Sequence, residues 1–448
     1  MPGSGMSALR RRLAVAGAVV ALAAAGSAMP ASASASASAS ASASAARAAT
    51  ATTRISSSSA GAPGNAESDA PWATADGRYV GFSSSATNLV PNQTNFTEDA
   101  FVRDRVTGTT ERVSIATDGT QAVYPSNRPR ITADGRYVVF DTFSPNLVPG
   151  DTNSRTDLFL RDRTAHTTTR ISVSATGQQS NGDSYWASIT PDGRYVAYTS
   201  DATDLVPGVA TAYDNVYLLD RQTGSLRVVS ETAAGVLGDA TSQTPVISAD
   251  GRYVAFESQA GNLVAGDTNN AMDVFVKDLT TGAVQLVSVT AAGQEFSGGG
   301  ATGDGVDMSM SANGRYVTFV GQPPNQNAQL YVRDLVLNTT KLVSVGSDGK
   351  PGTGGTYEGS ISPNGTSVAF TTGSTNIVPG APPYFNSYVR NLVTGTTTLA
   401  SLTSTGAPIT ESTGELAMSN AGLCFQSYAN NVVRDTVGRI GQIYFHPL

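Results

Sequence analysis

The pentapeptide DGRYV stands at residues 76–80, 134–138, 192–196 and 250–254, and returns as NGRYV at 313–317. A chain that repeats itself at this interval can fold as an array of like units, and that constraint outranks any local propensity. The turn glycines Gly77, Gly135, Gly193, Gly251, Gly314 and Gly365 are spaced 58, 58, 58, 63 and 51 residues apart. A degenerate seventh copy is placed at Gly422, 57 residues further on.

Each copy carries four short strand signals. In unit four, PVIS (245–248) is strand A and RYVAFES (252–258) is strand B, joined by Asp250-Gly251. Asp-Gly between alternating apolar residues predicts a two-residue hairpin with both residues at positive φ. DVFVKD (273–278) is strand C, and a TTG turn leads to VQLVS (284–288), strand D. Four antiparallel strands per unit, with no helical period between them, predict an all-β, seven-bladed β-propeller. Unit seven offers strands at 415–419, 422–428 and 442–448 and then ends one strand short. TTRIS at 52–56 is identical to TTRIS at 168–172, the D strand of unit two. The N-terminal strand is therefore expected to complete the last blade and remove the open edge.

The stretch ISADGRYVAFES, followed by DVFVKDLTTGAVQLVS, is similar to the TolB-type, WD-like propeller repeat of bacterial secreted and periplasmic proteins. The resemblance covers residues 52–448. It implies the propeller fold and an extracytoplasmic setting. The best-known member of that family works through protein–protein contacts, but nothing here matches its separate N-terminal domain, so its particular role is not implied.

The first fifty residues are different in kind. Arg10, Arg11 and Arg12 precede an apolar run at 13–26, and small-residue sites such as ASA at 31–33 follow. This pattern predicts a secretory signal peptide over 1–34 and an Ala/Ser spacer over 35–50, with the propeller at 51–448. The apolar run is shorter than the ~20 residues a membrane span needs, so no transmembrane anchor is expected. The three arginines also fit a twin-arginine export route. Beyond residue 50 lie all 35 acids and 24 of the 28 basic residues, a net charge of −11. Nucleic acid and anionic membrane are excluded as expected partners on that charge. Cys424 is the single cysteine, so no intramolecular disulfide can form. A secreted monomer without a cofactor is expected.

An arginine opens strand B and an aspartate closes strand C in five units. The pairs are Arg78 with Asp104, Arg136 with Asp162, Arg194 with Asp220, Arg252 with Asp278, and Arg315 with Asp334. Unit six has Thr366 and Asn391 in these slots, and unit seven has neither residue. Two slots that are filled or vacated together predict a structural bridge rather than chemistry. Thr74, Thr132, Thr190, Ser248, Ser311 and Ser362 stand on strand A, where only small residues are expected to fit near the axis.

Strand order places the short A–B and C–D turns on one face and the long B–C and D–A loops on the other. Long loops on a rigid scaffold are the expected binding face for a protein or carbohydrate. Trp72, Tyr124, Trp186 and Tyr357 are the candidate binding residues, with Phe296, Tyr384 and Phe385 also on these loops. Trp72 occupies the slot held by Arg130, Ser188 and Val246 in other units, expected to face the mouth of the central channel. The B–C loops 151–157 and 267–273 place Asp, Asn and Asp at a spacing that suits either calcium or Asx turns. Thr156 and Met272 stand where a calcium loop needs glycine, so no metal is expected.

The chain has two histidines, His166 and His446, and lacks G-x-S-x-G, H-E-x-x-H and phosphate-loop motifs. Catalysis by a triad or zinc is therefore not expected. The alternative to a binding or scaffold propeller is a carboxylate- or calcium-dependent hydrolase or lyase at the channel. Glu67, Asp183, Asp239, Glu295, Asp304 and Glu358 are the loop acids open to that role.

Overall fold

The structure, a computed structural model, describes residues 51–211, 213–296, 308–435 and 438–448. The expected leader and spacer, and Asp304, lie outside the described residues. Seven four-stranded antiparallel sheets form the blades of a β-propeller. Blade four runs Ser242–Ile247, Tyr253–Ser258, Asp273–Asp278 and Val284–Leu286, in that order from the axis outward. Strand A thus begins three residues earlier than the sequence pattern suggests, and strand D ends two residues sooner.

The ring closes as expected. Thr53–Arg54 pairs with Gln442–Pro447 at the outside of blade seven, Thr53 opposite Phe445 and Arg54 opposite Tyr444. Ile55 is buried and its amide donates to the Ile443 carbonyl at 2.7 Å. Ser56 Oγ donates to Gln442 Oε1 at 2.8 Å and accepts from the Ile443 amide at 3.1 Å. Closure is thus held by side chains as well as by the ladder.

Each blade has one ring pair at its centre, where strands B and C place aromatics directly opposite each other. Phe82 stacks on Phe101 with centroids 5.6 Å apart, and Phe256 on Phe275 at 5.9 Å. The other five blades repeat the arrangement. Such pairs add about 0.5–1.5 kcal/mol each beyond the area they bury.

The A–B hairpin differs from the two-residue turn expected of Asp-Gly. The Gly77 amide donates to Thr74 O at 2.7 Å and the Thr74 amide to Tyr79 O at 3.0 Å, so four residues make the loop. Gly77 alone of these has positive φ, at 69°. Thr74 is not selected for size alone. Its hydroxyl donates to Asp76 Oδ1 at 2.6 Å and accepts from the Tyr79 amide at 3.0 Å, while the Arg78 amide donates to Asp76 Oδ1 at 2.9 Å. Blades two, three, four and five repeat this clamp, with Asn313 in place of aspartate in the last.

The turn glycine has a second reason to be glycine. A Cβ on Gly135 would lie 2.4 Å from the Tyr79 ring of the preceding blade. The same tyrosine-against-glycine contact joins Tyr195 to Gly251, Tyr253 to Gly314 and Tyr316 to Gly365. Blade seven departs from the expected register. Its hairpin is shorter, and Gly422 is the first residue of strand B, with its carbonyl accepting from Ser419 N as Tyr79 O does from Thr74 N. Gly422 therefore fills the tyrosine slot rather than the turn. Phe445 supplies the missing ring against Gly77, and Arg105 lies 3.3 Å over it.

The five Arg–Asp pairs flank these hairpins. Nε and one terminal nitrogen of each arginine both reach the carboxylate, at 2.7–3.3 Å in blade four. The arginine holds Asp104, Asp162, Asp220 and Asp278 down to about 2.

The tyrosine–glycine joint is tested by comparing Gly135→Ala with Gly150→Ala. Both glycines have φ +74°, but Gly150 has nothing within 4 Å of a built Cβ. Gly150→Ala should cost about 1–2 kcal/mol, the left-handed penalty alone. Gly135→Ala should cost clearly more in urea unfolding, because the Tyr79 ring must move. Equal losses would contradict the joint.

Candidate functional site

The seven A strands surround an axial cavity of about 630 Å³, within the usual range for ligand pockets. Each A strand starts at the long-loop face and ends in its A–B turn. At the narrow end stand Ala75, Ala133, Pro191, Ala249, Ala312 and Pro363, one from each of blades one to six, and hydrogen bonds such as Ala249 N to Ala312 O tie neighbouring turns. The cavity is therefore a funnel whose wide end faces the long loops.

The funnel wall is shaped by a bulge in strand A. In blade one Asp69 pairs with Ser83 but Trp72 with Gly81, so one extra residue is accommodated between them. Blades two, three, four, six and seven also slip. The bulge puts Ala70, Arg128, Trp186, Thr244 and Glu415 at φ 47–52°. This conformation disfavours non-glycine residues by roughly 1–2 kcal/mol each. Neighbouring blades hold it. Ser83 Oγ accepts from Arg128 N at 3.2 Å and Thr199 Oγ1 from Thr244 N at 3.1 Å. At the other side Glu358 Oε1 accepts from Glu415 N at 3.0 Å, and Glu415 Oε2 from Ala70 N at 2.6 Å.

Two residues further along strand A is a second tier. Ser188, Ser309 and Ser360 each accept from a backbone amide of the next blade, at 2.7–3.2 Å. Blades one and two have Trp72 and Arg130 there instead. The Arg130 guanidinium lies 4.7 Å over the Trp72 ring, and Arg128 lies 5.5 Å over Trp186. Arg128 also meets the buried carboxylate of Asp141 at 3.9 Å.

Beside Arg128 begins an acidic corner. Asp69 and Glu98 are hydrogen-bonded to each other and line the cavity with Glu358 and Glu415. Burial, then the Asp69 charge, raises Glu98 to about 8. Burial raises Glu415 to about 7 against the pull of the Ala70 amide. Glu67 accepts from the Tyr428 hydroxyl nearby. The funnel thus carries its arginines on blade two, its tryptophans on blades one and three, and its acids on blades six, seven and one.

The four expected binding residues do not form one cluster. Trp72 and Trp186 line the funnel, but Trp72 sits toward the narrow end rather than at the mouth, because strand A runs inward from the loop face. Tyr124 and Tyr357 stay outside on the loop face, about half exposed. Tyr124 is edge-on to Phe143 at 5.5 Å, and Tyr357 lies 6.2 Å from Phe385. Phe296 is not a surface aromatic. It is 2% exposed and packs 4.9 Å from Tyr331. The calcium-like loops are occupied by their own side chains. Asn153 Nδ2 donates to Asp157 at 3.1 Å, the Arg155 amide donates to Asn153 Oδ1, and Arg170 approaches both Asp151 and Asp157. Among the described residues no cluster of three or more His, Cys, Asp or Glu is placed to hold a metal ion.

Asp69, Glu98, Arg128 and Glu415 were not among the expected site residues. Starting strand A too late left the first three slots of that strand in the loop. Glu98 directly precedes strand C, a slot that holds an acid again at Asp214 and Thr156, Met272 or Ala328 in other blades, so the sequence did not single it out.

No family model and no curated protein matches the chain. Solved structures with a similar fold include an oligogalacturonate lyase in complex with manganese, at 11% identity and TM-score 0.55, covering 89% of this chain and 93% of that one. The β-propeller domain of the trilobed protease from Pyrococcus furiosus matches at 9% identity and TM-score 0.50, over 85% and 95%. TolB from Acinetobacter baumannii matches at 16% identity and TM-score 0.40, over 75% of this chain and 64% of that one. At these identities the likeness is one of fold. No helix among the described residues is long and apolar enough to cross a membrane.

The acidic corner has a consequence for stability. A carboxyl raised in the folded state keeps its proton where the unfolded chain has lost it, so stability falls as pH rises between the two values. For Glu98 that window runs from 4.5 to about 8. Thermal melts across it should show stability declining with pH, and Glu98→Gln should flatten the decline. A variant with the same pH profile as the parent would remove Glu98 from this role.

Proposed function

We propose that the chain is an extracytoplasmic binding propeller that receives part of a protein or carbohydrate partner in the wide end of its funnel. One observation carries this reading. The third and fifth slots of the inner strands do not repeat, and they set large or charged residues, Arg128, Arg130, Trp72, Trp186, Glu358 and Glu415, on a single cavity that opens among the long loops. Ring construction alone is met in that tier by small or apolar residues, Ser188, Val246, Ser309, Ser360 and Ala417. The arginine stacks hold two large aromatics rigid, and rigid aromatics and arginines carry most binding energy at interfaces. Tyr124 and Tyr357, exposed on the rim, extend the surface for a partner larger than the cavity. The leader expected over residues 1–34 sets this activity outside the cytoplasm.

A second reading is favoured by the Asp69–Glu98 pair, two carboxyls sharing a proton in a cavity. It would make the funnel a carboxylate-dependent hydrolase or lyase. The pair is in hydrogen-bond contact, closer than the ~5–10 Å that glycosidase carboxyls keep to admit a sugar or water. Glu358 and Glu415 are engaged with backbone amides. Binding is therefore the better-supported function.

The test is a screen of glycans and secreted proteins against the full chain, followed by the double variant Trp72→Ala, Trp186→Ala. Binding should weaken more than tenfold, with far-UV circular dichroism unchanged. Changes at the exposed turn valines Val106 and Val393, on the opposite face, should leave it intact. The reverse pattern would place the site on the turn face, and turnover lost in Glu98→Gln would support the hydrolase reading.

A further inference from the structure

Among the described residues, Arg130 lines the funnel with no carboxylate within ion-pair distance. Its Nη1 is buried and makes no hydrogen bond among the described residues. The nearest carboxylate, Asp141, contacts Arg128 instead, at 3.9 Å. A desolvated, unpaired guanidinium is costly to a fold. In three other blades the same tier holds a serine that bonds the next blade. Arg130 and Trp72 replace that serine in adjacent blades and stack on each other at 4.7 Å. The stack fixes the plane of the guanidinium on the cavity wall.

Resting on the binding role proposed above, we propose that the Arg130–Trp72 stack is an anion subsite that takes the terminal carboxylate of a peptide segment entering the funnel. A planar fork of donors matches a carboxylate with two parallel hydrogen bonds. The choice of a peptide end follows from the way in. Arg130 lies two residues beyond Arg128 along strand A, roughly 6–7 Å deeper. An anion reaching it passes Asp69, Glu98, Glu358 and Glu415. With Glu98 holding its proton the corner still keeps negative charge, which disfavours a polyanion more than a single carboxylate carried on a neutral or cationic body.

The probe is a mixed tetrapeptide library with free C-terminal carboxylates, set against the same library as C-terminal amides, on the full chain. Affinity selection should retain acids over amides by at least tenfold, and Arg130→Met should abolish the preference. Equal retention of acids and amides, retention of neither, or an unchanged preference in Arg130→Met overturns the subsite. A partner from the wider screen that still binds Arg130→Met normally would show the subsite wrong while the funnel remains the binding site. Melting temperature gives an independent reading. If Arg130 serves a ligand, Arg130→Met should melt at or above the parent temperature. A fall of several degrees would make Arg130 a structural strut and reject the proposal.

Discussion

The tyrosine ring of one blade rests where a Cβ would be on the turn glycine of the next. This contact decides the repeat. Glycine is required twice over, by its positive φ and by the ring against it. The tyrosine is in turn sandwiched where the neighbour provides an arginine, as Arg163 lies 5.6 Å over Tyr79 and Arg221 lies 4.2 Å over Tyr137. Blade seven shows how strictly the space must be filled. Having lost its tyrosine to a shortened hairpin, it fills the joint from strand C with Phe445. With every blade fixed to its neighbour at the turn face, the small residues at the narrow end are drawn into a tight belt and the funnel can widen only toward the loops.

That geometry separates the molecule into a part that must repeat and a part that need not. The ring pairs of strands B and C, the threonine–aspartate clamp and the Arg–Asp bridges recur because each blade meets the same neighbours. The inner strand meets empty space on its axial side. Its third and fifth slots can therefore hold arginine, tryptophan, glutamate or threonine without disturbing the stack between blades. The backbone strain stored in the bulges also lies there, at five non-glycine residues of positive φ. Strain of this kind gathers where a fold presents groups to a ligand.

The seven blades and the closing strand were legible because they rest on repetition. TTRIS at residue 52 could be matched to an identical strand elsewhere, and DGRYV marked each hairpin. The shape of the hairpin was less legible. Asp-Gly suits a two-residue turn, but the hydroxyl of Thr74 captures Asp76 and makes a four-residue loop with one positive φ. Gly422 misled for the same reason, since a glycine in a weak repeat has no local mark to separate a turn from a tyrosine slot. The candidate site was the least legible. Trp72 and Trp186 stood out by residue type, whereas Asp69, Arg128 and Glu415 come together only through a one-residue bulge that the sequence does not announce. Tyr124 and Tyr357, chosen on the same grounds as the tryptophans, lie on the rim instead.

The two tryptophans are the only ones in the chain, and both line the funnel. Tryptophan emission therefore reports on that cavity alone. Titration of the first partner found for the full chain into the single-tryptophan proteins Trp72→Phe and Trp186→Phe tests the central claim most directly. Entry into the funnel predicts a saturable change in emission in at least one of them, with the same midpoint as binding. Full occupancy with emission unchanged in both would contradict it and place the partner elsewhere on the ring.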